Sequence, residues 1–164
     1  MTTRVPATRV VTELTDDQLE RCLATAKRAA KSDLYGCCKV KVSLDKALSH
    51  NAKEYVQIKV RDHPDKNKKV QLHQLVAWMD PDDDKRREMR AAISGGGIEI
   101  SHLCKQKDCM NPQHLVAESC AKNKSRNNCT TVIRINGVIH PCCKHKPRCV
   151  YTAQDVRDIL DYVV

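Results

Sequence analysis

The chain has 164 residues, with 29 Lys and Arg against 20 Asp and Glu, a net charge of +9, ten cysteines, one Trp and no Phe. The mean hydropathy is −0.55, and no apolar run reaches the roughly 18 residues that a membrane-spanning helix needs. The opening MTTRVPATRVV lacks the apolar stretch of a secretory signal. So few aromatic residues make a thin core that needs other staples, and the basic balance fits a polyanionic partner, most often nucleic acid.

Residues 1–13 read as a flexible basic arm. A helix starts after Thr15, where Thr15 and Gln18 form a capping box. Leu19, Cys22, Leu23, Ala26 and Ala30 then recur on one face, and Gly36 ends the element. Residues 37–44 (CCKVKVSL), 54–61 (EYVQIKVR) and 69–78 (KVQLHQLVAW) alternate in polarity and predict a three-stranded antiparallel sheet. One face is apolar. The other carries Lys39, Lys41, Gln57, Lys59, Arg61, Lys69, Gln71 and His73. A β-ribbon of this kind can enter the major groove, where Gln pairs with adenine and Arg or Lys with guanine; the plain alternative is a solvated surface.

Asp80-Pro81-Asp82 opens a second helix that runs to Ile93, with proline and acids at its positive end. Gly95-Gly96-Gly97 breaks it, GIEISHLC returns as a strand, and 117–127 form a short helix. Residues 130–150 are read as irregular. Thr152 and Asp155 cap a final helix whose stripe is Val156, Ile159, Leu160 and Val163, packing on its own domain or on a second subunit. The organisation is therefore one domain over residues 1–150 and a dimerisation tail over 151–164.

The stretch SHLCKQKDCMNPQHL at 101–115 holds the densest chemistry. Cys104, Cys109 and His114, spaced C-x4-C-x4-H, suit three ligands of a tetrahedral zinc. Cys38, on the inward face of its strand, is the expected fourth ligand, with Cys37 as the alternative. A second set joins Cys129 to Cys143, His145 and Cys149 of a C-x-H-x3-C unit; Cys142 can replace Cys143, and His140 is a weaker candidate. Cys22 and Cys120 are left as small apolar groups. Interleaved Cys and His favour zinc over disulfides or packed free thiols. His102 belongs to neither set.

The segment 101–129 reads S-H-L-C-x4-C-x-N-P-x-H-L-x2-E-S-x3-N-K-x-R-N-x-C. It resembles the His-Cys box homing endonucleases of the ββα-metal, or His-Me finger, nuclease group. The resemblance implies an α+β, zinc-stabilised ββα-metal fold with an antiparallel DNA-binding sheet and flanking helices. It implies two structural Zn ions and one catalytic Mg per chain, with His102 as general base and Asn123 as the protein ligand of the Mg. A neutral imidazole suits the first role and a carboxamide oxygen the second. It further implies a homodimer that cuts both strands of a near-palindromic DNA site, in the nucleus. The chain departs from the family where an arginine of the sheet holds the scissile phosphate: Lys69 or Val70 stands at that place, Lys69, Lys68 or Arg61 can substitute, and Lys124 and Arg126, on the helix of Asn123, are further phosphate-contact candidates, Arg126 equally a surface charge. The alternative reading is a zinc-stabilised DNA-binding module without catalysis, as in the Smad DNA-binding domains; His102 together with Asn123 separates the two.

Overall fold

The computed structural model describes residues 7–161 apart from 35, 96, 128 and 131. In chain order its elements are α1 (Asp16–Arg28), β1 (Ala30–Ser32), β2 (Cys38–Val40), β3 (Leu48–His50), β4 (Val56–Lys59), β5 (Lys69–Gln71), α2 (Leu72–Trp78), α3 (Asp83–Gly95), β6 (Ile98–His102), β7 (Leu115–Ser119), α4 (Cys120–Asn127), β8 (Val132–Ile135), β9 (Val138–Pro141) and α5 (Ala153–Asp161). The strands form four small antiparallel sheets: β1–β2, β3–β4–β5, β6–β7 and β8–β9. The fold is α+β, with Cys/His groups in place of a large aromatic core.

The capping box of α1 forms as expected. Gln18 N donates to Thr15 Oγ1 and Thr15 N to Gln18 Oε1, while Leu19, Cys22 and Ala26 go into the core. The helix stops at Arg28, and 30–32 pair with 38–40 instead of continuing it. The arm expected over 1–13 is corrected within 7–13. Ala7–Glu13 is a 3-10 helix, Val11 is fully buried, and the segment packs on β5, α2 and α3. Residues 1–6 lie outside the described residues.

The expected sheet is corrected at two strands. Segment 37–44 yields only β2 followed by a 3-10 turn at Val42–Leu44, and the third strand beside β4 is β3. Lys39 and Lys41 therefore stand off the sheet. Segment 69–78 is a strand for three residues and then turns into α2. Leu72, Leu75 and Val76 satisfy the helical period as well as Val70 and Leu72 satisfy the strand period, and burial of residues 72–77 decides for the helix.

His73 consequently leaves the polar face and lies inside. Its ring packs 4.9 Å from Tyr55 and 5.4 Å from His102, and its Nδ1 has no partner. Burial first, and the neighbouring His102 second, push its pKa down to about 3. The unfolded chain then takes up this proton near pH 6.5, well before the native state does. Stability contributed by neutral His73 is complete above about 6.5 and falls as pH drops toward the folded value, by up to about 1.4 kcal/mol per unit. In denaturant melts from pH 7 to pH 5, His73→Leu should lose less stability than the wild-type chain. Equal acid losses would refute a neutral, buried His73.

What remains of the polar face is compact. Gln57 pairs with Gln71 and Ser49, and Lys59 with Lys69, all on the side opposite the buried Leu48, Ile58 and Val70. Arg61 follows β4 with its guanidinium 3.8 Å from Asp45.

β6 and β7 form the hairpin that positions the site. Ile98 pairs with Ser119 at one end and His102 with Leu115 at the other, and the intervening loop is 103–114. α4 begins directly after β7 and packs on both strands. The helix expected over 117–127 thus starts at Cys120, because 117–119 are still strand. Residues 130–150, expected to be irregular, contain the β8–β9 hairpin. α5 is capped by Thr152 and Asp155 and packs on β8, while Lys105 Nζ reaches Asp155 at 3.1 Å. Leu160 is exposed, and Val163 lies outside the described residues.

Candidate metal and catalytic site

Cys37, Cys104, Cys109 and His114 come together, all buried, with their ligand atoms within 4.8 Å of one another. His114 offers Nδ1, 3.6 Å from the sulfurs of both Cys37 and Cys109. A tetrahedral zinc with Zn–S near 2.3 Å and Zn–N near 2.0–2.1 Å spaces its ligand atoms roughly 3.5–3.8 Å apart, so the group fits. Hydrogen bonding with the Cys104 and Cys37 thiols holds the Cys109 thiol far below the ordinary range, while its bond to Cys109 pushes Cys104 up. The Asn111 N–H also points at Cys109 Sγ. These bonds favour the thiolate form of Cys109, the form that binds metal.

Cys38, the ligand expected here, is not part of this group; the position is taken by Cys37. Cys38 does face inward, but onto the main apolar core beside Val40. Cys37 is 0% exposed and points to the other side of the strand, into a separate small nucleus with Cys104, Cys109 and Val150. Main-chain bonds from Met110 N to Cys38 O and from Val40 N to Asp108 O bring the 103–114 loop against β2. Gly36, at φ +77°, makes the turn that delivers Cys37, and its carbonyl accepts from Asn111 Nδ2 at 2.7 Å.

Cys129, Cys143, His145 and Cys149 form the second group. His145 Nδ1 lies 3.3 Å from Cys143 Sγ and 3.7 Å from Cys149 Sγ. Ser125 of α4 donates to Lys122 O, so its Oγ accepts from His145 Nε2 at 2.8 Å and fixes the ring. Burial opposes ionisation of Cys143, but N–H groups of Cys149 and His145 aimed at its sulfur bring its pKa down to about 6. Cys142 stays outside and donates to Thr130 O.

His102 ligates nothing in either group. Its Nε2 donates to the carbonyl of Cys109 at 3.1 Å, which leaves the lone pair of the neutral ring on Nδ1. Burial lowers its pKa below the ordinary value, and Tyr55 stacks on it with centroids 6.2 Å apart. Asn123, on α4, donates through Nδ2 to Glu99 Oε2 at 2.8 Å, so its carbonyl oxygen occupies the opposite corner of a fixed amide. An open pocket of about 400 Å³ is lined by Asn123 and Tyr55, with Lys53, Lys107 and Asn127.

Sequence reasoning missed Glu99 and misjudged Arg126. Glu99 carried a signal, an acid between two isoleucines in the strand that also holds His102. Arg126, read as a phosphate-contact candidate or a surface charge, is 1% exposed and bound to Glu118.

A hairpin whose loop supplies Cys104, Cys109 and His114 to a Cys3His group completed by Cys37, followed at once by a helix, defines a zinc-stabilised nuclease fold. The chain belongs to the family described as the zinc-binding loop region of homing endonuclease, whose sequence model matches residues 21–160. No curated protein matches it. Membership in that family places the chain among DNA endonucleases and matches the two Cys/His groups, which can hold zinc.

Proposed function

We propose that this protein is a site-specific double-strand DNA endonuclease, with His102 as general base and one magnesium ion held by Asn123. The observation that carries the reading is that His102 stands free of both metal groups while its Nε2–H is committed to the Cys109 carbonyl. Nδ1 is therefore the basic atom. It takes a proton from a water as that water's oxygen bonds to phosphorus, and the P–O3′ bond breaks. The products are a 5′-phosphate and a 3′-hydroxyl, the leaving oxygen recovering a proton from solvent. Cys109 belongs to the first Cys/His group, so a metal held there would also fix the carbonyl that aims the base. Magnesium on the Asn123 carbonyl would offset the charge on the phosphate and on the departing oxygen. Glu99 holds the amide so that this oxygen, not the nitrogen, is presented.

The β3–β4–β5 face, with Ser49, Gln57, Lys59, Lys69 and Gln71, is the DNA-reading surface in this proposal, Arg61 standing at its margin. Amide pairs suit adenine edges and the lysines suit guanine or phosphate. Cutting both strands calls for two copies related by a two-fold axis, with the α5 tail as the contact between them and nuclear DNA as the target. The test is cleavage of genomic DNA with Mg²⁺ by the zinc-loaded chain. Discrete fragments are expected, and His102→Ala and Asn123→Ala should each slow cleavage by about 10²–10⁴-fold with DNA binding retained. Binding by the wild-type chain without any cutting would turn the reading to a non-catalytic DNA-binding module.

A further inference from the structure

This inference rests on the endonuclease reading and names one more residue that touches the reacting phosphate. Transfer at a phosphodiester needs a fixed positive charge against its non-bridging oxygens. Three cations on and around the sheet are engaged elsewhere: Arg61 lies beside Asp45, Lys68 pairs with Glu13, and Lys69 donates to Ser49 at 3.2 Å, while Lys59 stays on the DNA-reading face of β4. Arg126 is buried against Glu118. Lys105 is tied to Asp155 and the Cys129 carbonyl. Two lysines, 53 and 107, line the pocket that holds Asn123.

Of these, Lys107 is the one built into the site. It stands between Cys104 and Cys109, in a turn closed by bonds from Lys105 N to His102 O and from Cys109 N to Gln106 O. Its backbone is therefore anchored by two cysteines of the first Cys/His group and by the main chain of His102 itself. Its ammonium lies 5.6 Å over the ring of Tyr55, the same ring that stacks on His102. Its ion partner is Glu54, 3.2 Å away and 83% exposed, with Lys107 itself 42% exposed. An ion pair so open to water is weak, and a DNA phosphate entering the pocket can displace that carboxylate.

We propose that Lys107 is the phosphate-binding catalytic cation of this enzyme, its ammonium exchanging Glu54 for a non-bridging oxygen of the scissile phosphate. The pocket then presents two groups to one phosphodiester, the Lys107 charge and the Asn123 carbonyl that would hold the metal, with His102 packed against the Tyr55 ring that lines it.

The experiment uses the full zinc-loaded chain, Mg²⁺ and a duplex bearing a site that the wild-type chain cuts. Lys107→Ala should lower the single-turnover rate by about a hundredfold or more, with duplex Kd changed less than about threefold. Lys107→Arg should recover at least about tenfold of that loss, since it restores a charge that can meet phosphate. A methylphosphonate at the cut position removes the charge that the lysine meets, and on that duplex the wild type and Lys107→Ala should react alike. Should Lys107→Ala lose zinc, Lys107→Gln against Lys107→Arg is read by the same criteria. A Lys107→Ala rate within about threefold of wild type, or equal losses in rate and binding, overturns the assignment while leaving the nuclease intact. A wild-type chain that binds the duplex but never cuts it overturns the endonuclease reading and this assignment together.

Discussion

Cys37→Ser is expected to lower zinc from two ions per chain to one, whereas Cys38→Ser keeps both. The sulfurs of Cys37 and Cys109 each lie 3.6 Å from His114 Nδ1, but Cys38 belongs to the apolar core on the opposite side of β2. The small nucleus around Cys37, Cys104 and Cys109 has only Val150 packed against it among the described residues. Apolar contact alone does not order a twelve-residue loop of this polarity. Structural zinc contributes about 10–16 kcal/mol in small zinc-finger peptides, comparable with the whole stability of a domain, about 5–15 kcal/mol. Losing one ligand should therefore release the 103–114 loop and, with it, the Cys109 carbonyl that holds His102. Elemental analysis of the purified variants counts the zinc, and a thermal melt shows the cost. Retention of both ions by Cys37→Ser together with a loss in Cys38→Ser would reverse the assignment.

Arg126→Met should cost about 3–5 kcal/mol, the usual penalty for leaving one partner of a buried ion pair alone. Glu118 accepts from Arg126 Nε at 2.7 Å and from Nη2 at 2.8 Å, and also from Ser101 Oγ. Arg126 Nη1 donates onward to the Pro147 carbonyl at 3.0 Å and to Cys149 Sγ at 3.3 Å. One guanidinium thus ties α4 to β7 and to the second Cys/His group, and through Glu118 to Ser101, the residue preceding His102. Burial alone would raise the Glu118 pKa, but the bonds from Arg126 and Ser101 hold it below the usual carboxylate range. The pair's contribution is therefore complete above the unfolded carboxylate range, near 4.3, and is lost as pH falls through the lowered folded value. Arg126→Lys should not rescue, since an ammonium cannot make the paired fork to both oxygens. The double variant Glu118→Leu with Arg126→Met should cost less than the two single losses added together, because it leaves no unpaired charge behind. Urea midpoints at constant zinc measure the wild type and its four variants, and additive losses would show that the two residues do not act as a pair.

Most of the chemistry was legible because it depends on spacing along the chain. The C-x4-C-x4-H and C-x-H-x3-C units, Cys129, and His102 left outside them can all be read from residues 101–149. The capping boxes at Thr15 and Thr152 were legible for the same reason, since both partners lie three residues apart. Reading failed where two periods fit one segment. Residues 69–78 satisfy a strand and a helix alike, and the helix prevails because residues 72–77 are all buried. His73 changed sides with it, from a DNA-facing residue to a neutral ring behind His102.

By itself, then, the sequence determined the family and the metal-binding residue types, and left His102 outside both sets, because local spacing along a chain is preserved in any fold it adopts. Only tertiary structure decided that Cys37 and not Cys38 joins the first group, that Arg126 is interior, and that Lys107 shares a pocket with Asn123. Each of those depends on which face of an element meets which distant segment. That choice is made by the packing of the whole core, over separations of tens of residues that no local pattern encodes.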